Sequence, residues 1–67
     1  MYKIIDTTNR FATMAVPDRS DIIEFVRPMF EPGRSLEVDS ALNMLELAIA
    51  RELPTGELEA FLGITIL

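Results

Sequence analysis

Carboxylates are the side chains most available for chemistry here: Asp and Glu number 11 among 67 residues, beside 6 Lys and Arg and no His or Cys. Closely spaced acids such as Glu57/Glu59 and Glu37/Asp39 are the raw material of an acid–base pair, or of a Mg²⁺ or Ca²⁺ site. A spacing of two on a helix points the side chains apart, and no calcium-loop pattern surrounds them. They read as a solvated acidic face. The absence of His and Cys excludes Ser-His-Asp catalysis, nucleophilic Cys chemistry and zinc sites. Lys3 and Tyr2, the sole Lys and Tyr, add little, so the expectation is a non-enzymatic protein without metal or cofactor.

Charge then narrows the class of partner. Residues 1–34 carry five acids (Asp6, Asp18, Asp21, Glu24, Glu31) and five bases (Lys3, Arg10, Arg19, Arg27, Arg34), which cancel. Residues 35–67 carry six acids (Glu37, Asp39, Glu46, Glu52, Glu57, Glu59) against Arg51 alone, so the whole net charge of −5 lies there. An acidic half is the wrong sign for a phosphate backbone and steers toward a basic protein surface. The plainer reading is that these carboxylates keep a small apolar protein soluble. No apolar run approaches the ~18–20 residues of a membrane span. The first dozen residues lack the pattern of a signal peptide, and the lack of Cys fits a reducing compartment. A cytoplasmic protein without direct nucleic-acid or membrane contact is expected.

Two stretches resemble known families. Asp39-Ser40, with Glu46-Leu47 downstream, resembles the Asp-Ser-Leu…Glu-Leu pattern of acyl carrier proteins, which implies a phosphopantetheine arm on Ser40. Ala41 stands where that family has Leu, Glu46 lies one residue too far along, and the N-terminal half reads as a hairpin. Asp39 and Ser40 are accordingly read as first-turn helix residues. Thr55 to Thr65 resembles the first helix and turn of a helix-turn-helix domain, but only four residues follow Gly63, so a recognition helix is missing.

These residues must be positioned by a small set of elements. Residues 1–16 read as a hairpin: Tyr2, Ile4 and Ile5 are strand formers, Thr7-Thr8-Asn9-Arg10 suits a turn, and residues 11–16 alternate at period two. Pro17 opens a helix over 20–30, capped by Ser20 or Asp18, with Ile22, Ile23, Val26, Met29 and Phe30 on one face and an end or kink at Pro28. Glu31-Pro32-Gly33-Arg34 is a turn with Gly33 left-handed. A central helix covers 35–53, capped by Ser35 or Asp39 and stopped by Pro54. Its apolar positions, Val38, Ala41, Leu42, Met44, Leu45, Ala48, Ile49 and Leu53, span an arc of about 180°, wider than a surface helix needs. Leu47 falls on the polar side beside Ser40, Asn43 and Arg51. Thr55 caps a short helix over 55–63 with Leu58, Phe61 and Leu62 on its apolar face, and Gly63 terminates it. The apolar tail 64–67 is a strand against residues 2–5 or a hook for another chain.

The fold class is therefore α+β, a single domain over 1–67 with the hairpin packed on two to three helices. A small all-α bundle with an extended N-terminal arm is the alternative. A chain this short buries only about 60% of its unfolded surface, and its core supplies roughly 3–5 kcal/mol, which favours a homodimer or a partner. Four Met and four Phe fill the core or form a contact face. Phe25 and Leu47 are the apolar candidates for partner binding, with Glu46, Glu57 and Glu59 the charged ones. In size and charge the chain resembles small phage and plasmid regulators, which implies an acidic module that regulates or inhibits a larger protein. A self-associating structural subunit and an acyl-carrier-like protein modified at Ser40 are the alternatives.

Overall fold

The computed structural model describes residues 1–8, 10–31, 33 and 35–67. It is an α+β fold with a three-stranded antiparallel sheet in the order β2-β1-β3. The strands are β1 (Tyr2–Asp6), β2 (Met14–Val16) and β3 (Ile64–Ile66); the helices are α1 (Ile22–Val26), α2 (Leu36–Ala50) and α3 (Gly56–Leu62). The register pairs Ile4 with both Met14 and Ile66, and Asp6 with Ile64. Alternation therefore puts Tyr2, Ile4, Asp6, Met14, Val16, Ile64 and Ile66 on the face toward the helices. Ile4, Val16, Ile22, Val26, Leu42, Leu45 and Ile64 are the largest fully buried side chains. The core thus lies between one sheet face and α1 and α2. The tail 64–67 is a strand rather than a hook: Lys3 and Leu67 exchange backbone hydrogen bonds at 3.0 and 2.9 Å, and the Thr7 N–H donates to the Gly63 carbonyl at 2.9 Å.

Several boundaries differ from the sequence expectation, each for a local reason. The second strand covers only 14–16, because Thr8, Arg10 and Phe11 turn their amides to the Asp6 carboxylate instead of joining the ladder. The 20–30 helix is three pieces: a 3₁₀ turn at Arg19–Asp21, α1, and a second 3₁₀ turn at Arg27–Phe30 with Pro28 in its first positions. Pro28 cannot donate an α-helical bond but is tolerated where a new turn starts. Asp18 occupies an N-cap position without accepting a capping bond, and Asp21, next in line, does the same. The long helix runs 36–50 rather than 35–53, capped by the Ser35 hydroxyl, which accepts from the Val38 N–H at 3.2 Å. Gly33 and Gly63 are left-handed, at φ 89° and 71°. Asn9, Pro32 and Arg34, which belong to the two expected turns, lie outside the described residues.

Two carboxylates stitch the elements together. Asp6, on the inner face of β1, accepts from the Thr8 N–H and hydroxyl (2.9 and 2.7 Å), the Arg10 N–H and Nε (both 3.1 Å) and the Phe11 N–H (3.2 Å). Arg10 Nη2 reaches on to the Leu62 carbonyl at the end of α3 (3.3 Å), and the guanidinium lies 5.4 Å from the Phe30 ring centroid. One buried acid thereby holds the hairpin loop, and through Arg10 it holds the α3 terminus. Glu59 on α3 accepts from the Thr55 hydroxyl at 2.6 Å and from the Ile66 N–H at 2.9 Å. Thr55 therefore sits at the N-cap of α3 but donates to Glu59, with no capping bond of its own. The Ile66 N–H is an outward donor of edge strand β3, so Glu59 closes a position that would otherwise be open to another strand.

Candidate functional site

The wide apolar arc of α2 divides in two. Ala41, Leu42, Leu45, Ala48 and Ile49 face the core, whereas Met44 and Leu53 do not: they stand 57% and 49% exposed. Leu36, Met44 and Leu47 follow one another at helical spacings of eight and three, which aligns them on one side of α2. Their outward side meets α3, whose Phe61 is 58% exposed. Between the two helices lie two adjoining depressions that share Met44 and Leu58. The first, about 430 Å³, is lined by Leu36, Glu37, Ser40, Ala41, Met44, Leu58 and Phe61. The second, about 740 Å³, runs along Leu47, Ala48, Arg51, Leu53, Pro54 and Glu57. Together they form one apolar groove, about 16 Å long from Leu36 to Leu47 at 1.5 Å per helical residue.

The α2–α3 connection shapes the far end. After Arg51 the chain passes through Glu52 at φ 56°. The Glu52 N–H donates to the Ile49 carbonyl at 3.2 Å and the Leu53 N–H to the Ala48 carbonyl at 2.8 Å. These are the two bonds of a Schellman motif, with Glu52 in the place usually held by glycine. The motif brings Leu53 back beside Ala48, which turns it into the groove wall.

The polar side chains of the groove are Glu37, Ser40, Arg51 and Glu57. None of them makes a side-chain hydrogen bond or ion pair among the described residues. Among the described residues no cluster of three or more metal-ligating side chains occurs, and no helix is long and apolar enough to cross a membrane. Asp6 carries a shifted carboxyl. Burial alone would raise its pKa, but the hydrogen bonds from the Thr8 hydroxyl, Arg10 and the Thr8 amide, with the Arg10 charge, outweigh it and lower it from 3.8 to about 2. It belongs to the fold, not to the groove.

Of the five partner-binding residues expected from sequence, the structure brings Leu47 and Glu57 together in the groove. Phe25 is half-exposed on α1 and lines neither depression. Glu46 points the other way, its carboxylate 3.5 Å from Arg27 Nη2. Glu59 is half-buried, holds Thr55 and Ile66, and lines neither depression. Sequence reasoning placed Met44, Leu53 and Phe61 on apolar helix faces without naming them as contact residues, and it did not single out Leu36. The signal was the stripe Leu36-Ser40-Met44-Leu47, which continues beyond the arc that one core can cover. No protein family, curated protein or solved structure matches this chain, so the groove is read from its own chemistry.

Proposed function

We infer that this chain is a non-enzymatic protein-binding module, acting on a larger partner by occupying part of its surface, with the α2–α3 groove as its docking site. The observation that carries this reading is the concentration of large exposed apolar side chains on one side. Leu36, at 85% exposure, Met44, Leu47, Leu53 and Phe61 line the same two adjoining depressions. Single exposed apolar residues are normal, but a contiguous set rimmed by polar groups marks an interaction surface. Carboxylates at the rim, in the half of the chain that holds the net charge of −5, favour a basic partner.

The test is capture from the native lysate with the intact chain, beside Leu47→Asp, Phe61→Asp and Phe25→Asp. All three positions are exposed, so each variant is expected to stay folded by far-UV circular dichroism. A protein retained by the native chain and by Phe25→Asp, but lost with both groove variants, supports the reading. Capture indifferent to the groove substitutions refutes it.

A further inference from the structure

We propose that the groove takes an amphipathic helix of about three to four turns, with Lys or Arg flanking its apolar face where it crosses Glu37 and Glu57. The proposal rests on the groove being a docking site and adds the chemistry of what fills it. Backbone satisfaction selects a helix. Along most of its length the walls are side chains of α2 and α3, whose interior backbone groups are bonded within the helices; only Arg51, Leu53, Pro54 and the first residue of α3, Gly56, bring other backbone to the far end, so the groove offers few backbone partners. An extended segment would bury its own N–H and C=O groups there unpaired, and such groups are costly when dry. A helix arrives with its hydrogen bonds already made and needs only an apolar face with i, i+3/i+4 and i+7 anchors.

The size agrees. A groove of about 16 Å matches about three turns at 5.4 Å each. The two depressions, about 430 and 740 Å³, each accept a large side chain, and Met44 lies between them as an adaptable divider.

Charge selects the flanks and argues against a second copy. Glu37 stands at the first depression and Glu57 at the second, neither with an ion pair among the described residues. Arg51 is the lone base of residues 35–67 and sits at the second depression, where a docked helix should present no base. Groove-to-groove pairing of two copies would press together two halves that each carry −5. A basic helix meets the same rim with attraction instead.

The experiment uses the intact chain and three fluorescein-labelled 16-residue peptides of one composition class. A helix has Leu at i, i+3, i+7 and i+10 with Lys on the flanks; its twin has Glu for each Lys; a third has the Leu residues dispersed around the helix. Anisotropy titrations are run on the native chain, on Phe61→Asp and on the double variant Glu37→Gln/Glu57→Gln, with sedimentation of the chain alone. The expected result is saturable binding of the Lys helix, about tenfold tighter than the Glu helix from two attractions against two repulsions. Binding should be lost in Phe61→Asp, and the preference should collapse in the double Gln variant. Equal binding of both helices, lost in Phe61→Asp, would overturn the charge assignment while leaving the groove as a docking site. Self-association abolished by Phe61→Asp, with no peptide bound, would overturn the proposal in favour of a second copy. Absence of both peptide binding and self-association would overturn the proposal and count against the docking site itself.

Discussion

Glu52→Gly should stabilise this protein, although it removes a side chain. Glu52 stands at φ 56°, a conformation that costs an L-residue with a Cβ about 1–2 kcal/mol. Glycine adopts it freely but loses more freedom on folding, about 0.5–1 kcal/mol. The difference leaves a net gain of about 0.5–1 kcal/mol. Removing a carboxylate from the negative end of α2 adds about 0.3 kcal/mol. The two Schellman bonds, to Ile49 and Ala48, involve backbone only and survive the substitution. In urea unfolding followed by circular dichroism, a slope of about 1 kcal/mol/M converts the combined gain of about 0.8–1.3 kcal/mol into a midpoint roughly 0.8–1.3 M higher. The thermal midpoint should rise by roughly 3–10 °C. Glu52→Ala is the control, because it removes the charge and keeps the strain, and it should recover only the electrostatic part. A Gly variant no more stable than the native chain, or an Ala variant equally stabilised, would refute the backbone argument.

Further outcomes follow from the same contacts. Because Asp6 has a folded pKa of about 2 against an ordinary 3.8, its stabilisation is present in full above pH 3.8 and is lost as pH falls toward 2. Asp6→Asn should lower the urea midpoint at pH 7 and flatten its fall between pH 4 and 2; a native-like midpoint would show the loop is held by other contacts. Leu45 is fully buried, so Leu45→Ala should cost about 2–5 kcal/mol, comparable to the roughly 3–5 kcal/mol a core of this size supplies. The variant should be largely unfolded at 25 °C by circular dichroism, whereas volume-conserving Leu45→Met should fold. Glu37→Gln and Glu59→Gln change net charge identically, yet only Glu59→Gln should lower the melting temperature and speed hydrogen exchange at the Ile66 amide.

Long-period patterns were legible in the sequence, and single polar side chains were not. The α2 helix, Ser35 as one of its two candidate caps, the break at Pro28 and the left-handed Gly33 and Gly63 follow from local chemistry, and the structure has each of them. Hairpin and tail were legible as apolar, strand-forming stretches, but the central position of β1 was not, since it depends on pairing across nearly the whole chain. Asp6 hid as a turn-side acid, although an Asp two residues before Thr8 is the spacing of a side-chain-to-backbone turn. Thr55 looked like a cap because its type and place fit. Its hydroxyl has instead been drawn to Glu59, four residues on, which only the packing of α3 against β3 decides. The groove was half legible: Leu47 stood out because it broke the polar face, whereas Met44 and Phe61 obeyed the helical pattern, which left core filling and contact face undecided.

Counting carboxylates as one population hides a division of labour between them. A chain with no Cys or His has no disulfide or zinc site to fix its loop and its chain-distant strand. Asp6 and Glu59 contribute to that task by accepting backbone and hydroxyl hydrogen bonds from the hairpin loop, from Thr55 and from β3, beside the backbone ladder that joins β3 to β1. An acid on the inner face of a sheet is tolerable because its own loop supplies the donors, so desolvation is met by three loop amides, the Thr8 hydroxyl and the Arg10 guanidinium. Glu37 and Glu57 make no such contacts among the described residues and stand at the mouth of an apolar groove. Glu24 and Glu52 also make no side-chain hydrogen bond or ion pair among the described residues, but they lie away from the groove. Separating carboxylates by their hydrogen bonds therefore tells the two acids committed to the loop and to the edge of β3 from those left at the surface, and among the latter Glu37 and Glu57 are the ones that line the apolar groove.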